Sequence, residues 1–236
     1  MKILAIDTAT EACSAALYID GVITEEFQVA PREHTQLILK MIETLLQQSG
    51  LKVGQLDALA FGRGPGSFTG VRIATGIVQG LAFASDLPVV PVSTLAALAQ
   101  HAYDNHQHEH VLTAIDARMG EIYWACYEKG EKNIMSLSTE ECVGSAESVV
   151  LTDGPASQWC GAGSGWAAYK ETLTDIMGDQ LTTVYADDLP RSSSIVKLAA
   201  DAFQRGEVVA ASQALPVYLR NDVAKKKGEQ SKPNSR

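Results

Sequence analysis

Two aspartates, each at the end of an apolar segment, carry the strongest chemical signal in this sequence. Asp7 precedes Thr8 and Thr10, and Asp116 ends a similar segment in the second half. A carboxylate at the end of a strand can hold the water ligands of Mg²⁺, while the amides of the following turn bind a phosphate. Because aspartate is also a common turn residue, the pattern leaves two alternatives open, a nucleotide site or two capped turns.

A glycine-rich segment at residues 62–70 is a second candidate for ligand binding. Four glycines and one proline precede a predicted helix there. Free N–H groups and the helix dipole attract anions, and Arg63 and Arg72 could add positive charge. No lysine follows the last glycine, so the segment is not a Walker A loop. The equal alternative is a tight turn whose glycines let neighbouring elements pack closely.

Hydrophobic periodicity predicts the elements that must position these residues. In the first hundred residues we predict strands at 2–8, 12–19, 22–29, 56–61 and 88–92, and helices at 31–49, 69–84 and 93–102. In the second half we predict a strand at 133–138, a short helix at 146–150, a strand at 158–160, helices at 167–174 and 194–204, and an extended segment at 216–219. Three consecutive strands followed by alternating helices and strands (βββαβαβα) indicate a mixed sheet covered by helices.

The second half begins by repeating the first. At a constant offset of 109 positions four residues are identical, and both aspartates end a strand that a turn and a second strand follow. The matched pairs are Ile6 and Ile115, Asp7 and Asp116, Ala16 and Ala125, and Tyr18 and Tyr127. We therefore predict a duplicated α/β protein with a first lobe at 1–102 and a reduced second lobe at 103–219, divided at the polar segment 103–109.

Two strand-end turns that face each other across a cleft are typical of the actin-like ATPase superfold (ASKHA, ribonuclease H-like). In that arrangement the glycine cluster at 161–165 takes the place of the turn that contacts adenosine. The candidate nucleotide-binding residues are therefore Asp7, Thr8, Thr10, Asp116, Gly161, Gly163 and Gly165. A fold by itself does not establish an activity, so these residues define a hypothesis about a site.

Charge and composition narrow the function classes. The formal net charge is −9, with a net +4 in residues 220–236 and −13 in the remainder. The acidic body disfavours direct binding to a nucleic-acid backbone. The basic tail at 220–236, which we expect to be mobile, is either a solvated terminus or a docking arm for an acidic surface.

The sequence also carries expectations about location. No apolar run reaches the ~18 residues of a membrane span, and the N-terminus is typical of a strand rather than a signal peptide. The four cysteines show neither CxxC nor metal-type spacing, which indicates buried thiols in a reduced compartment. His106, His108 and His110 alternate in a predicted polar linker without supporting ligands, so we interpret them as linker residues rather than a metal site. We expect a cytoplasmic protein without contact to a membrane.

Several motifs together resemble the TsaB (YeaZ) family. They are the segments 1–10 (MKILAIDTAT), 32–35 (REHT), 64–72 (GPGSFTGVR) and 91–95 (PVSTL), and more loosely 115–118 (IDAR) and 215–220 (LPVYLR). The resemblance implies the actin-like fold and a role in forming threonylcarbamoyladenosine beside the anticodon of ANN-decoding tRNAs. It further implies a non-catalytic partner of the transferase TsaD, in a complex that the ATPase TsaE joins and through which tRNA is contacted indirectly.

The resemblance also predicts that this chain does not catalyse the transfer. TsaD carries two histidines four residues apart, which can hold one metal ion on a helix face. The corresponding positions here are Thr94 and Leu98, and leucine has no lone pair to donate. We therefore expect no catalytic residue, no metal and no required cofactor, with ATP or ADP and Mg²⁺ as a candidate ligand near the partner interface. The alternative is an independent enzyme, either an actin-fold phosphotransferase or a metallopeptidase.

Two helices are the candidate partner surface. The apolar stripe of the helix at 31–49 is wide enough to seat that helix on its own sheet. Leu39 lies outside the stripe, and residues on the next helix could form a second apolar face. The resemblance implies pairing with the matching helices of TsaD or of a second copy of this chain. The predicted interface residues are His34, Leu39, Gly66, Ser67, Phe68, Val71, Arg72, Ala74 and Val78.

Overall fold

The computed structural model describes residues 1–151 and 158–220. The strands are β1 (Lys2–Asp7), β2 (Ala12–Ile19), β3 (Val22–Val29), β4 (Ala58–Gly62), β5 (Val89–Val92), β6 (His110–Arg118), β7 (Glu121–Lys129), β8 (Met135–Leu137), β9 (Cys142–Gly144), β10 (Trp159–Ala162) and β11 (Leu181–Tyr185). The helices are α1 (His34–Ser49), α2 (Phe68–Ser85), α3 (Thr94–His106), α4 (Ser164–Ala168), α5 (Lys170–Met177) and α6 (Ser192–Gln204). The predicted basic tail lies outside the described residues except for Arg220.

The two sheets have the same topology. The first has the strand order β3-β2-β1-β4-β5, and the second has the order β8-β7-β6-β10-β11, with β9 added beside β7. In each sheet the first three strands of the lobe pair antiparallel and the last two join parallel. This equivalence confirms the predicted duplicated α/β fold and places Asp7 and Asp116 at matching positions.

Each sheet is built from the strands of one half of the chain, but the helices that cover it come from both halves. α1 and α2 cover one face of the first sheet, where Ile38, Leu45 and Val78 are buried together. The opposite face is covered by α6, the last helix of the chain, through Ile195 and Val196. α3 follows the first sheet in sequence but packs mainly on the second. Each lobe therefore takes a helix from the other half of the chain.

Several predicted boundaries were wrong for local reasons. α1 begins at His34 rather than residue 31, because Arg32 has a left-handed backbone with φ of 72°. α3 continues to His106, past the predicted lobe boundary, so residues 103–106 form its last turn. β9 and β11 were not predicted. The second lobe is smaller because its helices are shorter. Within the described residues, a short 3₁₀ turn at Ala146–Ser148 occupies the position that α1 has in the first lobe.

Within the described ranges, no helix is both long enough and apolar enough to cross a bilayer.

Candidate functional site

Asp7 lies beneath the surface at the end of β1. Its side chain is 1% exposed, and its Oδ1 accepts a hydrogen bond from the Ala9 N–H at 3.2 Å. Its Oδ2 has no hydrogen-bond partner among the described residues. A Cβ atom on Gly62 would lie 2.2 Å from Oδ1, so the carboxyl group rests against that glycine. Burial raises the pKa of Asp7 to about 7, because the charged carboxylate loses its hydration.

The glycine-rich segment packs directly on the turn that follows Asp7. A Cβ atom on Gly66 would lie 2.5 Å from the Ala9 carbonyl oxygen, and one on Gly70 would lie 1.9 Å from the Thr8 carbonyl oxygen. The Thr8 hydroxyl donates to the Gly70 carbonyl at 2.7 Å, and the Ser67 N–H donates to the Ala9 carbonyl at 2.7 Å. Of the two alternatives for this segment, the geometry supports close packing, because the backbone occupies the space above the turn that a phosphate would need.

Asp116 is paired with a cation of its own chain. Its carboxylate accepts the Arg118 N–H at 2.8 Å and the Arg118 guanidinium at 2.8 Å. The same guanidinium reaches Glu11 of the first lobe at 3.2 Å. The Asp116 N–H donates to the Ser164 hydroxyl at 3.1 Å. Asp116 therefore takes part in an ion-pair bridge between the lobes.

The predicted adenosine turn is a packing element. A Cβ atom on Gly161 would lie 2.2 Å from the Trp166 indole, and one on Gly163 would lie 2.6 Å from the Ala114 carbonyl oxygen. Gly165 likewise rests on Ala114. All three glycines are buried, so their small size is explained by contacts within the lobe.

A cleft of about 650 Å³ lies between the lobes and brings part of the predicted set together. Its lining includes Thr10 and Asp116 from the nucleotide prediction, and His34, Gly66, Ser67 and Phe68 from the interface prediction. Asp7, Thr8 and the three glycines of the 161–165 cluster do not line it. The predicted nucleotide residues thus separate into a buried group and a group that faces this lobe cleft.

Sequence reasoning missed many of the residues that line the lobe cleft, among them Arg32, Tyr218 and Arg220. Each of these three lies within a segment that resembles the family, REHT or LPVYLR, but no role was assigned to them. Their positions depend on long-range contacts, which single-sequence periodicity does not report.

Residues 214–220 form a C-terminal strap that fastens both lobes. The Val217 N–H donates to the Arg63 carbonyl at 2.8 Å, and Arg72 Nε donates to the Tyr218 hydroxyl at 2.8 Å. The Arg72 guanidinium also lies 3.6 Å from the centre of the Phe68 ring. At the end of the strap, Arg220 donates to the Ala117 carbonyl at 3.2 Å. The strap therefore connects α2 with the β6–β7 hairpin.

Of the predicted interface residues, Leu39 lies on the surface, but three residues of α2 do not. Leu39 is 54% exposed, whereas Val71, Ala74 and Val78 are at most 2% exposed and face the core of their own lobe. Helix periodicity gives a stripe but does not say which stripe faces the sheet. Beyond its first turn, the outer face of α2 consists of Arg72, Gly76, Gly80, Phe83 and Ala84.

The two positions that the resemblance matched to a metal-binding histidine pair are core positions here. Thr94 and Leu98 are both 0% exposed. In the part of the chain that the structure describes, no three histidine, cysteine, aspartate or glutamate side chains are grouped so that they could hold a metal ion. Burial raises the pKa of the Cys13 thiol to about 12 and that of Cys160 to about 12, so these thiols are unreactive at neutral pH.

Comparison with known proteins gives consistent matches over nearly the whole chain. A family model described as TsaD, tRNA N6-adenosine threonylcarbamoyltransferase, matches residues 3–228. The tRNA threonylcarbamoyladenosine biosynthesis protein TsaB of Escherichia coli K12 is 46% identical over 96% of this chain and 98% of its own length. Its namesake from Haemophilus influenzae is 44% identical over 96% of this chain and 97% of its own. The solved structure of YeaZ from Pseudomonas aeruginosa is 47% identical, with a TM-score of 0.87 over 92% of this chain and 99% of that one.

Proposed function

This chain belongs to the TsaB family, and from that premise we propose that it acts in tRNA threonylcarbamoyladenosine biosynthesis as a non-catalytic partner that activates TsaD. The observation that carries the proposal is the state of the two strand-end aspartates. Asp7 is enclosed beneath Gly62, and Asp116 is bound by Arg118. Asp7 would have to be uncovered, and Asp116 would have to leave Arg118, before either carboxylate could hold the metal ion of a reacting nucleotide.

The outer face of α2 supports a partner role. This helix has 18 residues, and Arg72 is its one charged residue. Phe83 is 86% exposed on it. A Cβ atom on Gly76 or Gly80 would meet no atom of this chain within 4 Å. A helix of this composition facing water is unusual, and two glycines one turn apart let the backbone of another helix approach closely.

We propose that helices of TsaD cover this face, and that a second copy of this chain covers it when TsaD is absent. TsaE then joins the complex, and tRNA is contacted through TsaD rather than through this acidic chain. The cytoplasm is the proposed location, supported by the buried cysteine thiols and by the site of tRNA modification.

Reconstituted transfer tests the activator role. Threonylcarbamoyl transfer to tRNA is measured with TsaD and TsaE, with and without this chain. We expect no transfer by this chain alone and full transfer only when it is added to TsaD. Transfer by TsaD at an equal rate without this chain would contradict an activating role, and transfer by this chain alone would support the independent enzyme.

The substitution Phe83→Glu tests the partner face. Because the side chain is exposed, the monomer should fold normally, while burying a carboxylate in the interface should weaken association with TsaD at least tenfold. Val22→Glu is the matched control, since Val22 is 68% exposed on β3, away from α2. Association is measured by complex mass and titration. If both substitutions weaken association with TsaD equally, the outer face of α2 does not form the interface.

We propose that a nucleotide bound by this chain within the complex lies in the lobe cleft and does not contact Asp7. Arg32 lies at the cleft with no ion-pair partner among the described residues, and Phe68 and Tyr218 offer aromatic surface. ADP binding to the complex is measured with Arg32→Ala and with Asp7→Asn. Weaker binding for Arg32→Ala alone supports the cleft, and the reverse pattern contradicts it.

A further inference from the structure

We propose that His101, His106 and Asp188 form a pH-sensitive latch, closed at neutral pH and opened by acid, that fastens α3 to the connection at residues 186–191. This connection leads from β11, an outer strand of the second sheet, to α6, which covers the first sheet. The three side chains lie in a surface recess of about 460 Å³ that shares no lining residue with the lobe cleft.

Both imidazoles face one carboxylate. His106 Nε2 lies 3.1 Å from Asp188 Oδ2, and His101 Nε2 lies 4.0 Å from Asp188 Oδ1. The His106 ring also stacks on the Tyr185 ring, with 3.5 Å between their centres. One carboxylate can neutralise one imidazolium, so a second proton on this pair has no matching negative charge.

The hydrogen bonds of His101 require its neutral form. The Asn105 amide nitrogen contacts His101 Nδ1 at 3.0 Å and donates to the His101 carbonyl at 2.9 Å. A ring nitrogen that accepts a hydrogen bond carries no proton, so the proton of His101 lies on Nε2, towards Asp188. Protonation of Nδ1 would set two donors against each other at the end of α3.

The surroundings add charge of both signs. The titratable and charged groups around the pair are Asp188 and Arg191 from the connection, Glu25 from β3, Tyr185 from β11 and His108 from the segment after α3. Arg191 is paired with Glu25 at 3.2 Å. This ion pair leaves Asp188 as the one carboxylate directly opposite the two histidines.

The direction of the pH effect follows from burial. Burial lowers the pKa of His101; Asp188 opposes this shift, and Arg191 adds to it. A histidine with a lowered pKa in the closed form takes up a proton more readily in the open form. The closed latch is therefore fully stable above the ordinary histidine pKa of about 6.5 and loses stability as the pH falls below it.

The opening is confined to the connection. Lys197 of α6 donates to Asp104 of α3 at 2.6 Å, so the two helices are tied by an ion pair that contains no histidine. Acid thus frees the segment that joins the lobes while α3 and α6 stay packed.

Hydrogen exchange of the full chain at pH 7.5 and 5.5, corrected for intrinsic rates, tests the latch. Peptides covering the connection should lose protection at pH 5.5, by at most about tenfold, since that pH lies one unit below the ordinary histidine pKa of about 6.5. His101→Gln, which is neutral at both pH values, should abolish this acid response. The matched control His110→Gln removes an imidazole that faces Glu128 of β7 instead of Asp188, and it should keep the acid response.

A second variant provides an independent test in case His101→Gln does not fold. Asp188→Asn removes the shared charge and should raise exchange of the connection at both pH values. Equal protection of the wild-type connection at both pH values would overturn the latch, as would an unchanged acid response in His101→Gln.

Discussion

The carboxyl group of Asp7 costs this fold stability at neutral pH. It is buried with one oxygen lacking a hydrogen-bond partner among the described residues, and the backbone N–H groups of Ala9 and Thr8 do not replace its lost hydration. An enzyme can retain a destabilising residue in its catalytic site because the reaction requires that residue. In this chain the carboxyl group lies against Gly62, inside the first lobe.

We expect Asp7→Asn to stabilise the protein at alkaline pH. The pKa is raised from 3.8 to about 7 in the folded state, so the fold favours the protonated form. The contribution of Asp7 to stability is therefore full below about pH 4 and is lost as the pH rises to 7, by roughly 4 kcal/mol at most. The variant lacks this contribution, so its stability relative to the wild type should rise between pH 4 and pH 8, which urea unfolding at pH 4, 6 and 8 measures.

Asp179→Asn is the control, because Asp179 is exposed and its substitution should change stability by less than about 0.5 kcal/mol at every pH. If Asp7→Asn and the wild type show the same pH dependence, Asp7 is ionised in the folded protein and its burial has been misjudged.

At the scale of elements, the glycines of α2 have different surroundings. Gly70, in the first turn, lies against the Thr8 backbone, whereas Gly76 and Gly80, farther along the helix, face outwards with no neighbour. The first glycine allows close packing within the lobe, and the other two lie on the face that we propose for a partner. A sequence alone cannot separate these roles, because all three are glycines in one helical pattern.

Substituting alanine at two of these positions should change stability with opposite signs. Gly70→Ala would place Cβ 1.9 Å from the Thr8 carbonyl oxygen, and the backbone displacement should cost roughly 3 kcal/mol. Gly76→Ala meets nothing and should stabilise the helix by roughly 0.5–1 kcal/mol. Chemical denaturation of the monomer measures both. A stability loss for Gly76→Ala similar to that for Gly70→Ala would mean that α2 is not oriented as described.

Elements with strong local signals were predictable from the sequence, and those made by long-range pairing were not. β2 and β3 were predicted with the bounds that the structure gives, because an Asp20–Gly21 turn separates two runs of strand formers. β11 has a half-exposed pattern and is recognisable only through its pairing with β10. For the site, the aspartates and glycines were identified, but their burial depends on contacts across the fold that no local pattern contains.

At the scale of the whole molecule, the two lobes exchange helices. α6 follows β11 of the second sheet and completes the core of the first lobe. α3 follows β5 of the first sheet and contributes Leu98, Ala99 and Ala102 to the core of the second. Neither half of the chain can bury its apolar surface alone, so the lobes should unfold as one cooperative unit despite their repeated topology.

The substitution Ile195→Ala tests this cooperativity. Ile195 lies in the core of the first lobe, while all three tryptophans, Trp124, Trp159 and Trp166, lie in the core of the second. Removing the buried side chain should cost about 2–5 kcal/mol. Because the lobes are coupled, tryptophan fluorescence and far-ultraviolet circular dichroism should report the same shifted urea midpoint, although the substitution lies outside the core that contains the tryptophans.

Val150→Ala, at an exposed position, should leave both midpoints in place. A fluorescence transition that stays at the wild-type midpoint while circular dichroism divides into two steps would mean that the lobes fold separately, and that the exchanged helices do not couple them.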